Sequence, residues 1–593
     1  MTEPAILLHD LDSAEVANAA KLLRFFGVES ESVSLDEFLP CLSKSGTNDS
    51  KSVIGGRVIC STDVLEQLIQ TIDQSAELSP WWKEQVHSVF VYSGADLQNL
   101  ERLVRHLTQD DAEFDELPSG PIDFKVTDQL DGLCGAMAGI VGTASASGVA
   151  SCHVLRTSNA LAIDLISTAH GALFLKLTWH DVPIFLSTSR NIIDVDSILP
   201  NGVFDIRDHV ASALAIVLYL RWAFPDTCWR PAEINACLVI DDPLLKPNYG
   251  FINFHELLLR MQQHSFSANV AFIPWNSRRS APETVKLFKD NPEYYSISVH
   301  GCDHGRAEFG IADPLHLYAK SKQALERMTE HEFTTGLACD RVMVFPQGVF
   351  SRVAPTALKR AGFIAAANND TIDSGPNPTA TRVGDFWDIA VMKYDDFPIF
   401  TRRYPWEGIE NFAFDILLGK PAIAVIHHDY CGDDYKRLAD FIDRLNLLNC
   451  PIVWRNVGEV AKRSYRQKAI SLDSREVEMY ASELCLENRS ERPIRYLIQK
   501  RESTPSLIKE IRTDSGRILW SENGSGVSFE VQVNAGETIT ASIGFNDPST
   551  NGRYGESLPY KARMSARRCL SELRDNYWHT YRQRIADMFG TRQ

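Results

Sequence analysis

The 593-residue chain has no C-x-x-C pair among its 12 cysteines and no apolar run of bilayer length. Cysteines scattered in this way give neither a disulfide framework nor a thiolate zinc cluster, and they read as reduced core residues. The longest apolar segment, residues 210–220, falls short of the roughly 18 residues a membrane-spanning helix needs and reads as a buried helix. Basic charge is also scarce: 60 Lys and Arg face 77 Asp and Glu, for a formal net charge of −17. This excludes general binding to nucleic-acid backbones and favours a neutral or cationic ligand, leaving room only for a local basic patch. Low-complexity tracts and fixed-period repeats are absent, so the chain reads as folded throughout apart from linkers. The first residues carry no basic segment and only a short apolar run, unlike a secretory signal, so the expected location is the cytoplasm.

What is present is a composition of 44% hydrophobic and 23% charged residues, long enough for three or four domains. Residues 1–195 read as an α/β accessory domain, with strands at 5–9 and 88–92, helices at 13–26 and 97–107, and a closing hairpin at 171–177 and 182–187. A glycine-rich stretch at 135–142 lacks G-x-G-x-x-G spacing and a phosphate-loop Lys, so it is assigned no ligand. Residues 196–468 begin with a helix at 210–224. They then alternate helices with apolar runs near 236–241, 268–274, 295–300, 341–346, 363–367, 389–392, 422–427 and 452–454. Strands apolar on both faces belong to a parallel sheet, and this many repeats predict closure into a (β/α) barrel. Residues 469–545 have short alternating runs expected of a β-sandwich, and residues 546–593 predict an amphipathic helix. Its apolar stripe is Leu570, Leu573, Tyr577, Tyr581, Ile585 and Phe589, set among Arg563, Arg567, Arg568, Arg574, Arg582 and Arg584. Docking of that stripe on the protein itself is the expectation; a membrane surface or a partner is the alternative.

Chemistry-bearing residues fall at the ends of the barrel runs, where such barrels place their active sites. The run at 236–241 ends in Asp241 and Asp242, and the run at 295–300 ends in His300 with His304 four residues on. Two imidazoles at that spacing plus one carboxylate make a three-ligand site with a position open for water, which points to hydrolysis. Later runs end in Pro346-Gln347-Gly348 and in His427-His428-Asp429-Tyr430, and residues 384–388 place acidic groups beside Trp387.

In this order the motifs resemble the polysaccharide deacetylase superfamily, the NodB-homology or carbohydrate esterase family 4 type, over residues 230–465. The resemblance implies a deacetylase-type distorted (β/α) barrel with an N-terminal α/β domain and a C-terminal β-sandwich. It implies that Asp242, His300 and His304 hold a divalent metal, with zinc the expected ion, and that Asp241 is the general base. It further implies that the backbone N–H of Gln347 helps to hold the oxyanion and that a histidine of the last motif is the general acid. His428 is chosen over His427 because adjacent strand residues face opposite ways and His428-Asp429 better matches the family's His-Asp ending. Trp387, Tyr430 and Arg341 are candidate substrate-binding residues.

The chain departs from the family pattern at Pro243 and Gly301. It also departs at Val344, which stands where the family has an Arg holding the catalytic Asp; Arg341 or Arg382 is the candidate replacement. The expected reaction is removal of an N-acyl group, acetyl above all, from an amino sugar or glycan precursor. An amide or imide hydrolase acting on a small molecule and a non-catalytic carbohydrate-binding scaffold are the alternatives. The sequence is silent on oligomeric state.

Overall fold

The computed structural model describes residues 4–11, 13–43, 56–75, 78–94, 97–110, 112–150, 152–159, 161–546 and 557–579. The chain forms two units: Met1–Ser197 with Phe204–Trp229 and Leu448–Cys450, and Ile198–Val203 with Arg230–Leu447 and Pro451–Gln593.

In the first unit an 11-stranded sheet begins with parallel strands, among them Ala5–His9, Gly56–Ser61 and Val86–Tyr92. It continues into the hairpin Gly171–Trp179 and Val182–Ser187, paired antiparallel as the alternation predicts. The helix expected at the start of the barrel domain belongs here instead. It runs as a π-helical turn, Val210–Leu214, into the α-helix Ala215–Ala223. The helix is apolar on nearly every face, so it can only be stable when surrounded, and Tyr219 packs against Phe90 and Phe185 at 5.2 and 5.3 Å between ring centroids.

In the second unit the runs of Val, Ile, Leu and Ala form an 8-stranded parallel sheet. Its strands are β1 (Ile234–Asp241), β2 (Ala268–Phe272), β3 (Tyr295–His300), β4 (Asp340–Val344), β5 (Ala365–Asn368), β6 (Ile399–Thr401), β7 (Ala422–Ile426) and β8 (Ile452–Trp454). The order is β6-β5-β4-β3-β2-β1-β7, with β8 also on β1. A parallel bridge between Arg403 and Ala424 joins the two edges, so the sheet closes into the expected barrel. The expected strand at 389–392 does not form. Only Val391 bridges to Ile399, and the sixth strand is Ile399–Thr401, a triplet too short to stand out from its surroundings. Helices Phe254–His264 and Pro314–Thr335 begin where Asn253 and Asp313 side chains accept N-terminal N–H groups.

Residues beyond the barrel, with the short strand Arg230–Pro231 that precedes it, form a sandwich of a six-stranded and a four-stranded sheet around Val477, Leu486, Ile498, Ile511, Val527 and Ile543. The C-terminal helix, Leu558–Leu573 with a π-helical end Arg574–His579, docks differently from the expectation. Leu570, Leu573 and Tyr577 face solvent, while Met564, Arg568 and Asp575 are buried. Met564 and polar anchors therefore hold this helix, and the rest of the expected stripe, Tyr581, Ile585 and Phe589 with Arg582 and Arg584, lies outside the described residues. Among the described residues no helix is long and apolar enough to cross a membrane.

Candidate metal centre

Parallel strands deliver their C-terminal ends to one face of the barrel, and β1 and β3 flank β2 there. Asp242 just past β1, His300 at the end of β3 and His304 in the following loop converge so that one ligand atom of each lies within 4.8 Å of the others. Asp242 Oδ1 is 3.4 Å from His300 Nε2 and 3.0 Å from His304 Nε2. The His300 Nδ1–H donates to the Val344 carbonyl at 3.0 Å, which leaves Nε2 as a lone pair aimed at Asp242. Asp242 Oδ1 is buried and has no hydrogen-bond partner among the described residues. Three acceptors facing one another in this way fit a cation, and the donor set of two imidazoles and one carboxylate suits zinc.

Local backbone is strained to achieve this. Asp242 and His304 have φ of 81° and 55°, left-handed values rare outside glycine. The loop carrying His304 is wound around Glu308, whose carboxylate accepts the N–H groups of Cys302, Asp303, His304 and Gly305 at 2.8–3.3 Å. Gly301 is explained by the same carboxylate. At φ 63°, a Cβ there would lie 2.0 Å from Glu308 Oε1 and 2.5 Å from Pro346 Cγ.

Asp241 is paired, although neither Arg341 nor Arg382 does it. Arg402, the residue after β6, donates Nη1 to Asp241 Oδ1 at 2.7 Å and Nη2 to Oδ2 at 2.8 Å, with both side chains at most 5% exposed. Burial pushes the Asp241 carboxyl up, but the Arg402 charge and bonds, with the fields of His300 and His427, outweigh it and hold the group below the usual carboxylate range. Asp241 is therefore held ionised beside His300 and Asp242. Arg341 starts β4 at the opposite end of the barrel, where it bonds to the Gly362 carbonyl and Glu483; parallel strands put their first residues far from the site. The Arg382 N–H donates to the Asp385 carboxylate in a helix cap.

The other sequence-selected residues separate into two groups. Trp387 is 1% exposed and packs edge-on against Phe414 at 5.4 Å, a core position. Asp388 ties the barrel to the sandwich through Tyr480 and Arg501. Gln347 follows β4 with a left-handed φ of 55°, and its Oε1 accepts the Ala307 N–H at 3.1 Å, clipping the metal loop. Tyr430 lies 5.9 Å from the exposed ring of Trp406, which stacks on Tyr404 at 4.3 Å. Tyr404 is close enough to Arg402 and Asp241 to feel their charges. The three aromatics form one cluster, with Tyr404 nearest Asp241.

His428 sits between Tyr249 and Phe251, at ring distances of 5.8 and 6.0 Å. Its Nε2 is 3.8 Å from Asp575 Oδ1, and the Tyr249 hydroxyl donates to Asp575 Oδ2 at 2.7 Å. Burial pushes the Asp575 carboxyl up, but bonds from His428, Arg574 and Tyr249 outweigh it and hold it at about 2. Arg402 and Asp575 escaped the sequence reading. The first follows a strand of three residues, and the second lies 147 positions past His428 on a helix whose pattern shows an apolar stripe and arginines.

No protein-family model matches the chain, and no curated protein matches its sequence. Among solved structures, that of Agd3, described as a novel carbohydrate deacetylase, is similar at a TM-score of 0.48 and 10% identity, over 91% of this chain and 98% of that one. A putative polysaccharide deacetylase from Mycobacterium smegmatis is similar at a TM-score of 0.28 and 14% identity, over 40% of this chain and 93% of its own. A family 4 carbohydrate esterase from Streptomyces lividans in complex with acetate is similar at a TM-score of 0.22 and 14% identity, over 36% of this chain and 86% of its own.

Proposed function

We propose that the protein is a metal-dependent hydrolase that removes an N-acyl group, acetyl above all, from an amino sugar or glycan precursor. The observation that carries this reading is the convergence of Asp242, His300 and His304 next to an ionised Asp241 clamped by Arg402. Asp242, His300 and His304 would hold a divalent ion, which would supply Lewis-acid activation of a water and of the acyl carbonyl. Asp241 takes the proton of the attacking water, and its Arg402 clamp fixes both carboxylate oxygens for that transfer. The backbone N–H at Gln347 is assigned to the developing oxyanion, held in place by the left-handed turn. His428, oriented by Asp575, donates a proton to the departing amine. Tyr430, Trp406 and Tyr404 offer ring faces to a pyranose. The side chain of Asp242 keeps 26% exposure, so the site is open on one side to substrate.

The test combines metal analysis with turnover. Stoichiometric zinc in the wild-type protein, its loss in His300→Ala and His304→Ala, and retention of metal with loss of deacetylation in Asp241→Asn are the expected results. A protein that binds no divalent metal, or an Asp241→Asn variant that turns over N-acetylated amino sugars normally, refutes the reading.

A further inference from the structure

Beside the metal loop is a cavity of about 710 Å³, walled by residues 303–311, the helix Pro314–Thr335 and the C-terminal helix. Its wall includes Gly305, the neighbour of the metal ligand His304, so the same turn that presents the imidazole bounds the cavity. Both carboxylates that line it are already engaged. Glu308 accepts the loop N–H groups and Lys320, and Asp303 is bonded by Lys320, Arg327 and the Tyr560 hydroxyl, the last at 2.6 Å. The cations are not all engaged. Arg306, Arg563 and Arg567 line the cavity with no ion-pair or hydrogen-bond partner among the described residues. Next to Arg567 in the chain, Arg568 is 7% exposed, and its Nε is buried with no partner among the described residues. The carboxylates whose charges reach Arg568 are Asp242 and Glu308, one from the metal centre and one from the cavity wall. Arg568 thus shares carboxylates engaged elsewhere, Arg563 lies over the Tyr560 ring at 5.6 Å, and a cluster of arginines without bonded carboxylates in a chain of net charge −17 runs against the overall field.

We propose that this cavity is an anion-recognition subsite of the active site, taking a phosphate or carboxylate carried by the N-acylated amino-sugar substrate. Planar guanidinium groups on two elements match the paired oxygens of either anion and give bidentate contacts that an ammonium would not. The arginines come from Arg306 in the metal loop and from positions 563 and 567, one turn apart on the C-terminal helix, so they face the same opening. The overall acidity of the chain repels anions in general; this subsite admits one that arrives attached to the sugar to be deacylated. The inference rests on the deacylase reading and narrows its substrate.

The test uses the full-length metal-loaded protein. Turnover is compared on a neutral N-acetylglucosamine oligomer, on the same sugar linked to a nucleoside diphosphate, and on an oligomer with a neighbouring uronate. Higher kcat/KM on one charged substrate is expected, the preferred arm telling phosphate from carboxylate. In Arg563→Ala/Arg567→Ala the ratio of charged to neutral kcat/KM is expected to fall about tenfold or more. A ratio that is unchanged in the variant, or a wild-type enzyme that prefers the neutral oligomer, overturns the proposal. If no amino sugar is deacylated at all, the functional reading fails, and the subsite is then read by calorimetric titration with pyrophosphate. Binding to wild type that is lost in the double variant upholds the subsite; equal or absent binding in both overturns it.

Discussion

Replacing Arg402 by Met tests whether the buried pair with Asp241 is the hinge of the site. The two side chains are 3% and 5% exposed and share two hydrogen bonds of 2.7 and 2.8 Å. Removing the cation leaves an ionised carboxylate without compensation in a dry interior, a change that costs about 3–5 kcal/mol in comparable buried pairs. Methionine fills much of the lost volume, so the loss reports charge rather than a cavity. Arg402→Met/Asp241→Asn removes both charges, and most of the lost stability is expected to return, because the damage in the single variant comes from the orphaned charge. Urea unfolding followed by tryptophan fluorescence measures the cycle, and metal content measured in parallel shows whether the ligands stay in place. If Arg402→Met costs under about 1 kcal/mol, or the double variant is as unstable as the single one, the pair is not the buried, dry contact described.

Asp340, at the start of β4, has its carboxyl pushed up to about 6 by burial, against the opposing effects of the Gly458 N–H and Lys462. The folded state therefore binds the proton more tightly than the unfolded chain. Stability falls as pH rises from about 4 through 6, and Asp340→Asn is expected to remove this slope and add up to about 3 kcal/mol at pH 8, as read by urea midpoints across that range. Gly301→Ala places a methyl group against the Glu308 carboxylate and is expected to loosen the His304 loop and lower zinc affinity at least about tenfold, measured by chelator competition. Unchanged affinity would show that the loop yields freely. Asp575→Asn is expected to lower kcat by about ten- to a hundredfold with little change in KM, and Asp575→Glu to recover part of it. An equal loss in Asp575→Asn and in a variant of the exposed Leu573 would reduce Asp575 to a helix anchor.

Local chemistry determined much of this protein from the sequence alone. Fully apolar strands separated by helices demand a covered parallel sheet, and such a sheet gathers its strand ends, so Asp241, Asp242, His300 and His304 could be selected before any coordinates. The same positional logic selected Gln347 and Tyr430, which lie just past β4 and beside Trp406. Arg341 lies away from them, because a residue at the start of a parallel strand sits far from the face where the strand ends gather. The partners of Asp241 and His428 were decided only by the tertiary structure. Arg402 reaches Asp241 from a strand three residues long, and Asp575 reaches His428 from a helix that packs by its polar face. Periodicity records which side of an element is apolar, and it holds no information about which distant charge will be buried opposite another. Closure of the barrel and docking of the C-terminal helix bring those charges together, and no short stretch of chain encodes either contact.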